Sequence, residues 1–274
     1  MYRAAVGLAI GALALTAGCS VSQSDERAIG AEEAASVDSQ LPILRDTVVT
    51  AFVAKLGQSI ASRTSRADLD WHFAVVNTDD LNAFSLPGGF VYVNRGLIES
   101  SDRLDELAGV MGHEIGHVVR RHSVKQLQKA AKRDVGVVLL CTLTRACHTL
   151  GGAIAVQVGA DAMTARYSQH DETEADSEAV VNTVRAGFDP EGLPSFLQWM
   201  LEHRADQPTP IDAFFATHPT DQARISRLEG QIAKLGPSPQ RALVRDTPEF
   251  QTMREHLQKL PPPPKDTSGA TQRQ

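Results

Sequence analysis

Aromatic residues make up only 5% of this 274-residue chain, and its 27 Lys and Arg are outnumbered by 33 Asp and Glu, for a net charge of -6. The basic residues are scattered among acids rather than gathered into a stripe, so a phosphate backbone has no surface to be drawn to. With so few rings, a base-stacking platform is excluded too. Nucleic acid is therefore not an expected partner. Long apolar runs are also missing. Ala4 to Leu15 is too short to cross a bilayer core of about 30 Å. Val135 to Ala160 is longer, but Arg145, His148 and Gly151-Gly152 interrupt it. It reads as a helical hairpin packed on the domain, with a hairpin dipping into a lipid surface as the alternative.

Cysteine is scarce as well, at three residues: Cys19, Cys141 and Cys147. The first belongs to a leader. Arg3 supplies a positive start, Ala4 to Leu15 an apolar stretch, and Thr16-Ala17-Gly18 small residues before Cys19. This resembles a bacterial lipoprotein signal, in which residues 1-18 are removed and Cys19 is lipidated. Thr16 departs from that pattern, and a plain secretory peptide with Cys19 unmodified is the alternative. By the same resemblance Ser20 points to the periplasmic face of the outer membrane of a Gram-negative cell, with a soluble periplasmic protein as the second choice. Cys141 and Cys147 are then left as a pair in an oxidising space. Within one continuous helix their Cα atoms would lie about 9 Å apart, so a disulfide needs the chain to turn between them; two unpaired thiols are the other reading.

What remains, at 42% hydrophobic content, can bury one sizeable core. Residues 19-40 read as a flexible tether, because Ser20 to Ser39 is small, polar and acidic. Helical spacing follows over residues 43 to 62, then a strand at Trp71 to Val76. A strand pair, Asn82 to Leu86 and Phe90 to Asn94, turns at Pro87-Gly88-Gly89. The first of this pair, with Asn82, Ala83, Phe84 and Ser85, is a candidate edge for pairing with an extended polypeptide.

The chain's chemistry is concentrated in His113-Glu114-Ile115-Gly116-His117. Four residues advance a helix by about one turn, so both imidazoles leave nearly the same face and can grip one metal ion with Glu114 beside them. Leu104, Leu107, Met111, Ile115 and Val118 mark the core face of that helix, and Asp102 is placed to cap it. A catalytic zinc needs a third protein ligand. His122 lies about 140° round the helix from His117, and the metzincin third-histidine position, 123, is serine; His122 is rejected. The carboxylate-rich stretch Tyr167 to Ala179 is the better source. Glu172 and Asp176, one turn apart, can supply a ligand and a carboxylate for a histidine's free nitrogen, whereas Glu174 should face elsewhere.

Four ordered motifs then point to a family. Asn82-Ala83-Phe84 with Pro87-Gly88-Gly89-Phe90-Val91-Tyr92-Val93, His113 to His117, Glu172-Thr173-Glu174-Ala175-Asp176, and His218-Pro219 with Arg224 together resemble the zinc metalloproteases that include HtpX, BepA and the CAAX prenyl proteases. The likeness covers about residues 41 to 235 and is closest to the periplasmic BepA-like branch. It implies a mostly helical α+β, zincin-like metalloprotease domain with a small sheet whose edge strand borders the cleft. It also implies one Zn2+ per chain on His113, His117 and Glu172, Glu114 as catalytic base and Asp176 behind a ligand. His218 and Arg224 join the catalytic set, His218 as either a transition-state donor or a latency ligand. Unfolded or misassembled envelope proteins are the implied substrates. A chaperone-like factor serving the outer-membrane assembly machinery, with proteolysis secondary, is the rival. The transmembrane helices of HtpX and the prenyl proteases, and the repeat region of BepA, have no counterpart here, so neither prenylated substrates nor a repeat platform is implied. Between Trp199 and His218 the chain is expected to be loop-like, with helix resuming over residues 220 to 235. Residues 236-274 read as a loosely attached segment with a disordered Pro-rich end.

Overall fold

The computed structural model describes residues 21-133, 166-205, 209-236 and 242-264. Cys19, the apolar stretch around residues 135 to 160, and Cys141 and Cys147 lie outside the described residues.

Ten helices and three strands are assigned among the described residues, in the order α1 (Gln23–Gln40), α2 (Thr47–Ala61), β1 (His72–Val76), β2 (Ala83–Leu86), β3 (Phe90–Asn94), α3 (Arg95–Ser100), α4 (Leu104–Val119), α5 (His122–Arg133), α6 (Gln169–Ala186), α7 (Gly192–Glu202), α8 (Asp212–Thr217), α9 (Gln222–Leu235) and α10 (Pro248–Lys259). The sheet runs β1-β3-β2, with β1 parallel and β2 antiparallel to β3, so β2 forms one edge. The β2-β3 turn falls at Pro87-Gly88-Gly89 as expected. Gly88 and Gly89 stand at φ 81° and 111°, where a side chain is strained.

Strand alternation divides the interior in two. Phe73, Val75, Ala83, Val91 and Val93 face the main core with α2 and α4, whereas Ala74, Val76, Phe84, Leu86, Phe90 and Tyr92 face a second cluster closed by Ala34 and Val37 of α1. Every residue of α4 is buried, because the sheet, α2, α6 and α7 surround it. Its first turn is held by Glu106, whose carboxylate accepts from the backbone N–H of Asp102 and Arg103 at 2.8 and 3.3 Å. Asp102 does not cap the helix; its carboxylate takes Arg254 instead, at 2.8 Å.

Three further expectations are corrected. Residues 23-40 are helix rather than tether. Ser22 and Asp25 form a reciprocal capping box, and Gly30 lies so close to the Pro87 carbonyl that any Cβ would collide with it. Glu26 draws the helix down through Arg66 at 2.8 Å and Arg121 at 2.8 Å. Nor are residues 242-264 loosely attached, while the tail expected to be disordered lies outside the described residues from 265 on. Thr247 caps α10, and Phe250, Met253 and Leu257 enter the main core, a gain of about 1.5–3 kcal/mol for each side chain. Lastly, the stretch from Trp199 to His218 holds the end of α7 and all of α8, whose Phe214 and Phe215 are buried.

Candidate active site

Helices α4 and α6 pack along glycines. A Cβ on Gly116 would fall 2.7 Å from the Ala175 carbonyl, and one on Gly112 would fall 2.9 Å from Thr183 Cγ2. With small residues on both sides, the two backbones approach closely enough for Glu172 and Asp176 to reach the histidines. His113 Nε2 and His117 Nε2 are 3.0 Å apart. Glu172 Oε2 is 3.4 Å from the first and Oε1 3.5 Å from the second. His218, at the C-terminal end of α8 and stacked on Phe214, brings Nδ1 to 3.2 Å from Glu172 Oε1 and 3.3 Å from His113 Nε2.

These four residues are buried, and one donor atom from each lies within 4.8 Å of the other three. Ligands bonded to one zinc at about 2.0–2.1 Å in a tetrahedron are separated by roughly 3.3 Å, the spacing found here. The donor chemistry fits as well, with three imidazole nitrogens and a carboxylate converging on one point. Thus His113, His117 and Glu172 form a group able to hold a metal ion, and His218 shares it.

Glu114 turns from this group towards the sheet edge, where Ser85 Oγ donates to Oε2 at 3.0 Å. Among the described residues its Oε1 has no hydrogen-bond partner, and it lies 3.4 Å from His218 Nε2, which has none there either. Burial pushes the Glu114 carboxyl above the usual range. Of the candidate substrate strand, Ala83, Phe84 and Ser85 lie in edge strand β2 and Asn82 immediately precedes it; all four are buried.

Asp176 meets His113 Nδ1 at 2.9 Å, so the carboxylate accepts from the ring and leaves Nε2 for the cluster. Arg224, 2% exposed, donates to Asp176 through Nε and Nη2 at 2.9 and 2.7 Å and pairs with Glu172. Its guanidinium thus stands behind the carboxylates and clamps them, rather than reaching over the cleft. Burial opposes charge on all these groups, but their neighbours outweigh it. His218, His113 and Arg224 hold Glu172 well below the ordinary carboxylate range. For His113, Glu172's charge and the hydrogen bonds of Asp176 and Glu172 overcome burial and lift the pKa to about 9 in the metal-free protein. At His117 burial prevails and the pKa falls well below the ordinary value.

Glu174 turns away from this group, as its helical phase requires, and meets His122 Nε2 at 3.2 Å. His122 is not among the four clustered residues but touches His117 from behind, Nδ1 to Nδ1, at 2.8 Å. Tyr167 stacks on the His117 ring with centroids 3.8 Å apart. Neither contact was legible from the motif. A histidine just after the zinc helix and an aromatic just before the carboxylate helix were the only signals.

Two histidines one turn apart, a glutamate beside the first and a carboxylate from an adjoining helix define a metallopeptidase centre of the zincin type. The family follows from the wider chain: it belongs to peptidase family M48, whose model matches residues 48–232. Among relatives, the beta-barrel assembly-enhancing protease of Yersinia pestis is 29% identical over 230 residues, covering 82% of this chain and 47% of its own. The mitochondrial metalloendopeptidase OMA1 of Schizosaccharomyces pombe is 31% identical over 192 residues, or 70% of this chain and 55% of its own. Metalloprotease YcaL of Escherichia coli K12 is 23% identical over 218 residues, 78% and 82% of the two chains. The chain spans about half the length of the beta-barrel assembly-enhancing proteases it matches.

Proposed function

We propose that this chain is a zinc endopeptidase, held through lipid on Cys19 at the periplasmic face of the outer membrane, that cuts unfolded or misassembled envelope proteins. The observation that carries the peptidase reading is the convergence of His113, His117 and Glu172 beside a buried Glu114 with one carboxylate oxygen unpartnered among the described residues. The relatives named as beta-barrel assembly-enhancing proteases support the choice of substrate class.

In this reading His113, His117 and Glu172 hold zinc, which when bound acts as a Lewis acid and lets water attack near neutral pH. Glu114 accepts the proton of the attacking water through Oε1 and passes it to the leaving amine, a role suited to a carboxyl whose pKa burial has raised. Ser85 fixes the other carboxylate oxygen. Asp176 and Arg224 keep His113 and Glu172 in register. Edge strand β2 accepts an extended substrate by strand pairing, which selects exposed backbone over folded surface.

The test is digestion of casein and of an unfolded outer-membrane protein by wild type beside Glu114→Gln. The substitution should cost on the order of 10²–10⁴ in kcat while zinc content stays unchanged. Equal cutting by both forms would end the reading and favour an assembly factor with a vestigial site. Anchoring is tested separately. Cys19→Ser should move the folded protein from the membrane to the soluble fraction, and continued sedimentation would point to the stretch around residues 135 to 160.

A further inference from the structure

Each of the two α4 histidines has a different support at its back. His113 Nδ1 meets the carboxylate of Asp176 directly, at 2.9 Å. Among the described residues the partner of His117 Nδ1 is instead a second imidazole, His122 Nδ1, at 2.8 Å. Arg121 makes this contact possible. It adopts φ 57°, a left-handed turn between α4 and α5, and the chain then folds His122 back over the last turn of α4, fully buried. The far side of that ring faces acids, with Nε2 3.2 Å from Glu174 Oε2 and 3.7 Å from Asp171 Oδ1.

Hydrogen accounting fixes the direction of this chain of contacts. Ionised carboxylates only accept, so His122 Nε2 must carry a hydrogen to meet Glu174. On its other side His117 turns Nε2 towards His113, Glu172 and His218 at ligand spacing, and a ring that ligates through Nε2 keeps its hydrogen on Nδ1. His122 Nδ1 therefore accepts, and His117 Nδ1–H donates. That leaves His117 Nε2 without hydrogen, aimed at His113, Glu172 and His218.

We propose that His122 and Glu174 are positioning residues, a two-member relay that locks His117 in its Nδ1–H form with Nε2 presented to the metal. The inference rests on the metal-site reading above, but not on what the enzyme cuts. His122, Asp171 and Glu174 also lie close enough together to suggest an ion of their own. Their groups are already committed: Asp171 accepts from Ser168 Oγ at 2.7 Å to cap α6, and Glu174 pairs with Lys125 at 3.4 Å and Arg120 at 3.6 Å. The acids serve the imidazole.

The test uses the full chain and reads no proteolysis. Zinc affinity is measured by competition with a chromogenic chelator. The His117 tautomer is read from long-range proton-nitrogen correlations in the metal-free protein, and folding from thermal unfolding. His122→Phe should weaken zinc binding by about 10- to 100-fold, the usual effect of losing a group behind a ligand. His122→Asn, whose amide oxygen falls near the old Nδ1, should recover most of that loss, and His122→Gln, which mimics the Nε2 side, should not. Glu174→Leu should weaken zinc several-fold and reduce the Nδ1–H population of His117. If His122→Phe does not fold, Glu174→Leu at its partly exposed site and the wild-type tautomer still decide. Unchanged zinc affinity in folded His122→Phe or Glu174→Leu, or a His117 ring protonated at Nε2 in metal-free wild type, would overturn the relay. Because no substrate enters these measurements, they stand or fall separately from the peptidase reading.

Discussion

Glu172 and Glu33 are the same side chain at nearly the same burial, 2% and 0% exposed, yet their acidities move in opposite directions. Desolvation raises both. At Glu172 it is outweighed by His218, His113 and Arg224, and the carboxylate stays ionised. At Glu33, on the face of α1 turned inward, neither oxygen has a hydrogen-bond partner among the described residues, and burial together with Glu32 lifts the pKa to about 7. Burial without neutralising neighbours thus pushes a carboxyl towards its neutral form, whereas a surrounding set of bases keeps it ionised and able to act as a ligand. The contrast also separates the two regions in purpose, since α6 holds charges ready for a cation while α1 carries a destabilising group.

The strongest way to break the contrast is to remove the charge at α6. Glu172→Ala, like His113→Ala or His117→Ala, should lose zinc by atomic emission and all measurable proteolysis. Glu174→Ala should still load at saturating zinc. A metal-free Glu174→Ala beside a loaded Glu172→Ala would reverse the assignment. His218→Ala comes next in size. Its Nδ1 sits at ligand spacing, so if it occupies the fourth position the mutant should cut unfolded substrate faster than wild type. A kcat loss of about 10²-fold with KM unchanged would make it a transition-state donor instead.

Glu33→Gln sharpens the other side. A carboxyl with a folded pKa near 7 and an ordinary value of 4.5 binds more protons folded than unfolded between those limits. Its contribution is therefore intact below pH 4.5 and is lost as pH rises through 7. Glu33→Gln should stabilise the protein at pH 8 by up to about 3 kcal/mol and flatten that slope in urea titrations; an unaltered slope would show that Glu33 is solvated. Gly116→Ala tests the close approach of α4 to α6. Wedging α6 away from α4 should cost about 1–3 kcal/mol in thermal unfolding and weaken zinc through Glu172. If zinc affinity survives, the helices have room to slide.

The sequence made the zinc helix plain because its signals are local: two histidines one turn apart and a core face at steps of three and four. Helical phase put Glu172 and Asp176 on one face, and the resemblance to the metalloprotease family gave them their roles. The helix at residues 23 to 40 was hidden, since its apolar face is only Ala34 and Val37 and its contacts to Arg66, Arg121 and the Pro87 carbonyl are distant in sequence. Phe250, Met253 and Leu257 did carry helical spacing, which the Pro-rich tail after them overshadowed. The roles of Arg224 and His122 depend on which side of a ligand each side chain reaches, and no local pattern encodes that.

The folding of α1 shortens a leash. A fully extended tether over residues 20 to 39 would let the domain roam up to about 70 Å from the lipid proposed on Cys19. With α1 formed, only Ser20, Val21 and Ser22 lie between that cysteine and the first helical residue, a reach of about 10 Å. Arg121 then grips the segment at both Glu26 and the Val21 carbonyl, at 2.8 and 2.7 Å, from the loop that ends α4. If the proposed lipid on Cys19 is present, the domain would sit at a fixed height and attitude above the bilayer.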